Sequence, residues 1–236
     1  MRKLSYLVIG AGGTGGSIAA FLAKAGKDVT LIARGAHGKA IQENGMRIIC
    51  PSGEWTVPLK AVEEKDYEGK ADVIFVCVKG YSVGSIYGCI RKAAHENTVV
   101  IPILNIYGTG ERMAKDLPGI RVLNGCIYIA AAIEAPGTIR MSGDIFRIVY
   151  GSLDGNVSDP LLLQVKTDLQ DSGILPVYTD QVRRDTFQKY AFVSPMAAAG
   201  AYYDAAAGDM KRPGKVRDLF VSCVREIDAL ADAMGI

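Results

Sequence analysis

Residues 7–15 read Val-Ile-Gly-Ala-Gly-Gly-Thr-Gly-Gly, and their setting decides the fold. Gly10, Gly12 and Gly15 stand in a G-x-G-x-x-G pattern, with an apolar run at 4–9 before them and an apolar-periodic run at 17–25 after them. That order reads as strand, glycine turn and helix. The first glycine permits a tight reversal, the second lets backbone approach a pyrophosphate, and the third lets the helix pack close to the strand. The phosphates would rest on the free N–H groups of the helix N-terminus, lined by Gly10, Ala11, Gly12, Gly13, Thr14 and Gly15. The pattern alone is weak. A second strand at 28–33 completes the βαβ unit that gives it meaning.

Moving outward, strand and helix signals alternate. Segments 45–49 and 55–59 flank Pro51-Ser52-Gly53 and read as a hairpin. Residues 71–78 form a continuous apolar run, which fits a parallel strand buried on both faces. A helix at 83–94, a buried strand at 98–104, a short helix at 110–117 and an extended stretch at 121–132 follow. Pro136-Gly137-Thr138 marks a turn, and 139–141 with 145–150 are expected as antiparallel strands extending the sheet. Asp159 and Pro160 open a helix that Gly173 ends, and 174–178 is a last strand. Beyond Asp180 only helical signals remain, at 185–199 and 216–234. The predicted class is α/β: a Rossmann-like, mostly parallel sheet over 1–180, and a smaller all-helical domain over 181–236 for substrate binding or dimerisation.

Bulk properties narrow the function. The 236 residues are 49% hydrophobic and 22% charged with a net charge of +2, so neither a nucleic-acid partner nor a membrane surface is expected. The residues before the glycine turn make too short an apolar stretch for a secretory signal, and no run reaches the length of a membrane span. Five cysteines without C-x-x-C spacing fit reduced thiols in a cytoplasmic protein. His37 and His95 lie in polar surroundings and read as surface residues, and no metal site is expected.

The end of the second strand selects the dinucleotide. A carboxylate there would bind a ribose 2′-hydroxyl, whereas an arginine accommodates a 2′-phosphate. The sequence is Leu31-Ile32-Ala33-Arg34-Gly35, with Lys39 nearby to assist, so the expected cofactor is NADPH.

Several segments together resemble the ketopantoate reductase (2-dehydropantoate 2-reductase) family. They are the glycine turn with Arg34, Val76-Cys77-Val78-Lys79 at a strand end, and Leu104-Asn105-Ile106-Tyr107-Gly108, which is similar to the family's N-G-x-G turn with Ile106 for its first glycine. Ala130-Ala131-Ala132 with Glu134-Ala135-Pro136-Gly137-Thr138-Ile139 and Phe187-Gln188-Lys189 complete the set, in order along nearly the whole chain. The resemblance implies that Lys189 is the catalytic lysine, that Asn105 contacts cofactor and substrate, and that Lys79 reaches the cofactor or a bound carboxylate. It implies hydride transfer from NADPH to the keto carbon of a small 2-oxo acid, foremost ketopantoate to pantoate in pantothenate and coenzyme A biosynthesis.

The chemistry suits these residue types. Hydride arriving at a ketone carbon drives negative charge onto oxygen, which a lysine ammonium stabilises before giving up a proton. Three departures stand out. The family's substrate-binding asparagines, four and eight residues after the lysine, are Val193 and Ala197 here, with Ser194 the nearest polar group. Phe187 replaces a tryptophan. The chain stops at Ile236, where family members continue through helices carrying a serine and a glutamate, so the second domain is expected to be incomplete. The stripe Val216, Leu219, Phe220, Cys223, Ile227 and Leu230 needs a covering surface, which either the family's further helices or a second subunit of a homodimer would supply. Two alternatives stay open: a reductase of the same fold for a different 2-oxo acid, and a non-catalytic NADPH-binding module.

Overall fold

The computed structural model describes residues 2–236. In chain order the elements begin with β1 (Ser5–Ile9), α1 (Gly13–Lys24), β2 (Asp28–Ile32), α2 (Gly35–Asn44), β3 (Met46–Cys50), β4 (Gly53–Val57) and β5 (Lys60–Val62). Then come β6 (Val73–Val76), α3 (Tyr87–Ala93), β7 (Val99–Pro102), α4 (Thr109–Asp116), β8 (Arg121–Val122), β9 (Asn124–Tyr128), β10 (Ala131–Ala135), β11 (Thr138–Met141) and β12 (Arg147–Gly151). The last are α5 (Pro160–Asp171), β13 (Leu175–Tyr178), α6 (Val182–Tyr203) and α7 (Lys215–Met234). The chain divides into two compact units: one runs up to Leu104 and resumes over Gly108–Val182, and the other joins Asn105–Tyr107 to Arg183–Ile236.

The first unit is built on a six-stranded sheet in the order β5-β2-β1-β6-β7-β8, parallel throughout. With the β3–β4 hairpin set aside as an excursion, this is the strand order of a doubly wound nucleotide fold, reversing between β1 and β6. The sequence explains why these strands lie inside. Val73, Ile74, Phe75 and Val76 are all buried, as a parallel strand covered on both faces requires. Along β1, Tyr6 and Val8 enter one core with Ile18, Leu31 and Phe75, while Leu7 and Ile9 enter the opposite core with Ile74, Val100 and Met113. That alternation is the period of two of a pleated strand.

Two smaller sheets accompany it, in the orders β10-β11-β3-β4 and β13-β12-β9. Here the sequence expectation needs correction. The segments at 139–141 and 145–150 do not extend the parallel sheet as an antiparallel pair. β11 pairs antiparallel with β10 and parallel with β3, while β12 pairs antiparallel with β9 and parallel with β13. The hairpin edge offered by β3 captures β11, a long-range pairing that local pattern does not encode. α2 and β5 were likewise not anticipated. Gly35 and Gly38 in a ten-residue helix mask its propensity. At α5 the expectation holds: the Asp159 carboxylate accepts from the backbone N–H groups of Leu161 and Leu162, and Pro160 takes the first helical position.

The second unit is helical. α6 carries Pro195 in its interior, and α7 has no buried residue along its length. The stripe foreseen on α7 is half-buried at Val216, Leu219, Phe220, Cys223 and Ile227, and Leu230 is exposed. No helix among the described residues is long and apolar enough to cross a membrane.

Candidate functional site

β1 delivers the glycine turn to the carboxyl edge of the sheet at the reversal point. Gly10 has φ +107°, and a Cβ added there would stand 3.0 Å from the Cys77 carbonyl oxygen and 3.1 Å from the Val78 nitrogen. Only glycine permits both the backbone angle and this close approach to the end of β6. A Cβ on Gly13 would fall on the Ala131 carbonyl, and one on Gly15 on the Gly10 carbonyl. Gly12 differs: a Cβ there would meet nothing within 4 Å. The turn is packed shut around its flanks and open at its second glycine. Gly12 also occupies the N-cap of α1 without a capping side chain, so the first-turn N–H groups face that opening.

The remaining candidates of this unit sit at strand ends on the same edge. Lys79 follows β6 as the N-cap of a 3₁₀ turn and is exposed. Cys77, just before it, is a free thiol whose pKa burial pushes up, so it stays protonated. Arg34 follows β2 as the N-cap of α2 and is exposed. It lines a surface cavity of about 450 Å³ together with Glu63, Glu64, Lys65, Cys89 and Lys92. Burial raises the Cys89 thiol to about 11, so that wall of the cavity is uncharged. Lys39, expected to assist Arg34, instead lies near Glu43 at 3.8 Å and does not line this cavity. Lys65 and Lys92 were not singled out in the sequence because the fold alone brings them to Arg34.

The histidines correct another expectation, since neither is a plain surface residue. His37 Nδ1 accepts from the Gly137 backbone N–H at 3.0 Å, and its Nε2 is buried without a hydrogen-bond partner. Burial lowers its pKa, and the nearby backbone of Ala11 and Ala135 offsets only part of that. His37 therefore stands neutral between the glycine turn and the β10–β11 turn. His95 Nε2 lies 3.2 Å from Asp72 Oδ1, and its Nδ1 accepts from the Asn97 N–H at 3.1 Å. Both were missed because their partners are far off in the chain or are backbone groups.

In the second unit, Asn105 and Ile106 are exposed while Tyr107 is half-buried. The Tyr107 ring packs edge-on against Phe187 at 5.2 Å between centroids and lies 6.2 Å from Tyr190. Lys189 is half-buried on the same turn of α6, with its ammonium 5.8 Å from the centroid of the Phe192 ring. Val193 and Ala197 follow Lys189 at helical four-residue spacing, so they share its face and bring no hydrogen-bonding side chain to it. The structure thus groups Asn105 with Lys189 in one unit, and the glycine turn, Arg34 and Lys79 in the other.

A doubly wound parallel sheet with a glycine turn open at its second glycine defines a dinucleotide-binding α/β protein. Residues 6–155 match the model of the family described as ketopantoate reductase PanE/ApbA, and the chain belongs to that family of oxidoreductases. A 2-dehydropantoate 2-reductase from Mesorhizobium japonicum is 27% identical over 259 residues, an alignment covering 99% of this chain and 77% of that one. The crystal structure of 2-dehydropantoate 2-reductase from Geobacter metallireducens superposes with a TM-score of 0.89 at 23% identity, over 98% of this chain and 76% of that one. A D-mandelate dehydrogenase solved with NADH and anilino(oxo)acetate shares the fold with a TM-score of 0.87 at 20% identity, over 98% of this chain and 75% of that one.

Proposed function

We infer that this chain is an NADPH-dependent reductase of a 2-oxo acid, yielding the 2-hydroxy acid, with 2-dehydropantoate as first candidate and pantoate as its product. The observation that carries the reading is the glycine turn: a Cβ at Gly10, Gly13 or Gly15 would run into backbone, whereas at Gly12 it would meet nothing within 4 Å. A pyrophosphate fits that opening, because the uncapped first turn of α1 supplies N–H donors and a favourable dipole. Gly10, Ala11, Gly12, Gly13, Thr14 and Gly15 would hold it. Arg34 would take a 2′-phosphate through its planar, permanently charged guanidinium, with Lys92 adding charge from the same cavity.

When bound, the nicotinamide supplies the hydride. Lys189 would stabilise the negative charge that develops on the substrate oxygen and then donate a proton from Nζ to it. Asn105 would orient the reacting carbonyl by a hydrogen bond from its amide. Lys79, a cation at the strand end beside the glycine turn, would attract the cofactor or the substrate carboxylate.

A second reading keeps this chemistry and changes the acid. Val193 and Ala197 give the lysine face no amide for a substrate hydroxyl, and a site without those donors loses its preference for a hydroxylated substrate. The D-mandelate dehydrogenase relative, named for an aromatic 2-hydroxy acid, shows that this fold accommodates such use.

The test is a panel of 2-oxo acids assayed by NADPH oxidation, with 2-dehydropantoate and benzoylformate among them. Turnover is expected, and Lys189→Ala should lower kcat by about 10²–10⁴-fold while leaving NADPH affinity intact. Fastest turnover of 2-dehydropantoate supports the first candidate, and fastest turnover of benzoylformate the second reading. Tight NADPH binding without turnover of any acid would make the chain a binding module instead.

A further inference from the structure

The segment Asn105–Tyr107 belongs to the helical unit although β7 immediately before it and α4 immediately after it belong to the sheet unit. Something must hold these three residues against the helices. Asn105 is exposed, and Ile106 is 43% exposed. Tyr107 closes a three-ring cluster with Phe187 and Tyr190, which are themselves 6.0 Å apart. Phe187 is only 4% exposed, so the ring that Tyr107 meets edge-on is fixed in place. Edge-to-face aromatic contact at this separation is attractive and directional. Phe187 and Tyr190 flank Lys189 in the chain, two residues before it and one after.

We propose that Tyr107 is a positioning residue of the site: its ring, wedged between Phe187 and Tyr190, holds the Asn105 loop on the turn of α6 that carries Lys189. The proposal rests on the 2-oxo acid reductase reading for its kinetic consequence and on the ring geometry alone for its structural one. Gly108 follows the loop. With φ +74° it turns the chain into α4, in a left-handed conformation that glycine adopts without steric cost. The phenol oxygen is buried without a hydrogen-bond partner, so the hydroxyl contributes no bond to the anchoring. The ring is the working part. Phenylalanine should serve in its place, and an aliphatic residue should not.

Tyr107→Leu is expected to lower kcat for the best 2-oxo acid by about 10–100-fold, with the Kd for NADPH unchanged within about twofold. Tyr107→Phe should restore at least half of the lost kcat. Tyr107 acts through Asn105, so Tyr107→Leu added to Asn105→Ala should cost less than about threefold more. Multiplied losses in that double variant, full kcat in Tyr107→Leu, or an equal loss in Tyr107→Phe would each overturn the proposal. Hydrogen exchange gives a readout free of activity: amides of 105–107 should exchange at least about tenfold faster in Tyr107→Leu, while those of β1 and β6 stay unchanged. Unaltered exchange at 105–107 also overturns it. If the parent reduces no 2-oxo acid, the functional reading fails by itself, and exchange still decides the role of Tyr107.

Discussion

His37 Nδ1 accepts the backbone N–H of Gly137 at 3.0 Å, tying the start of α2 to the β10–β11 turn. That bond assigns the proton of the neutral ring to Nε2. Protonation would have to occur on Nδ1, the atom already receiving the Gly137 N–H, and would break the tie. Burial, the largest influence on this ring, lowers its pKa from 6.5. The unfolded chain therefore binds a proton at a higher pH than the folded one. Stability from this site is complete above about 6.5 and is lost as pH falls through the lowered folded value. Thermal melts of the parent should drop between pH 7.5 and 5.5 more steeply than those of His37→Gln. Parallel curves for the two would refute the coupling.

The parallel sheet was legible because its strands are apolar runs that local pattern detects. Val73–Val76 is buried at every residue, and the glycines after β1 locate the nucleotide edge. The smaller sheets were not, because β11 joins β3 with Thr138 opposite Arg47, far apart in the chain, and nothing local in Thr138–Met141 announces that partner. The same limit applies to the site. Gly10, Gly12, Gly15 and Arg34 carry their meaning in spacing. Lys92 acquires its place only when α3 brings it to the Arg34 cavity, and Tyr107 only when the loop meets Phe187 and Tyr190.

The glycines predict opposite behaviours for one methyl group. In Gly15→Ala the new Cβ collides with the Gly10 carbonyl, a backbone atom that cannot swing aside. The expected cost is about 1–3 kcal/mol or more, read as a lower urea midpoint. In Gly12→Ala the Cβ meets nothing within 4 Å, so the melting temperature should stay within about 2 °C of the parent's. NADPH affinity should nevertheless fall by about tenfold or more, because the methyl occupies the approach of the pyrophosphate. Unchanged NADPH binding in Gly12→Ala would remove the cofactor from this turn.

Arg34 should discriminate between the two nicotinamide dinucleotides. It is exposed at the end of β2 and lines a cavity with Lys65 and Lys92, although Glu63 at 3.1 Å occupies Lys65. A guanidinium–phosphate contact is charge-assisted and bidentate. Arg34→Ala should weaken NADPH binding by about 10–100-fold and NADH binding by less than about threefold, measured by fluorescence titration. Lys39→Ala, which removes a side chain outside that cavity, should alter neither. Equal losses for both dinucleotides would show that Arg34 does not read the 2′-phosphate.

The carboxylate of Asp168 supports the strand that leads into the glycine turn. One oxygen accepts from the Tyr6 hydroxyl at 2.6 Å, and the other from the Lys27 ammonium at 2.7 Å. Tyr6 is 2% exposed and Asp168 8%, so this pairing of α5 with β1 lies away from water. Burial, reinforced by the neighbouring Asp168 carboxylate, pushes the Tyr6 phenol above its usual range, so it remains a donor at any ordinary pH. Lys27 also reaches Asp171 at 2.9 Å, but the Asp171 side chain is 56% exposed. Asp168→Ala leaves a buried hydroxyl and a half-desolvated ammonium without their acceptor and should cost about 3–5 kcal/mol. Asp171→Ala removes a partner already shared with water and should cost no more than about 1 kcal/mol. Urea unfolding with an unchanged slope measures both, and comparable losses would mean that burial does not set the strength of this cluster.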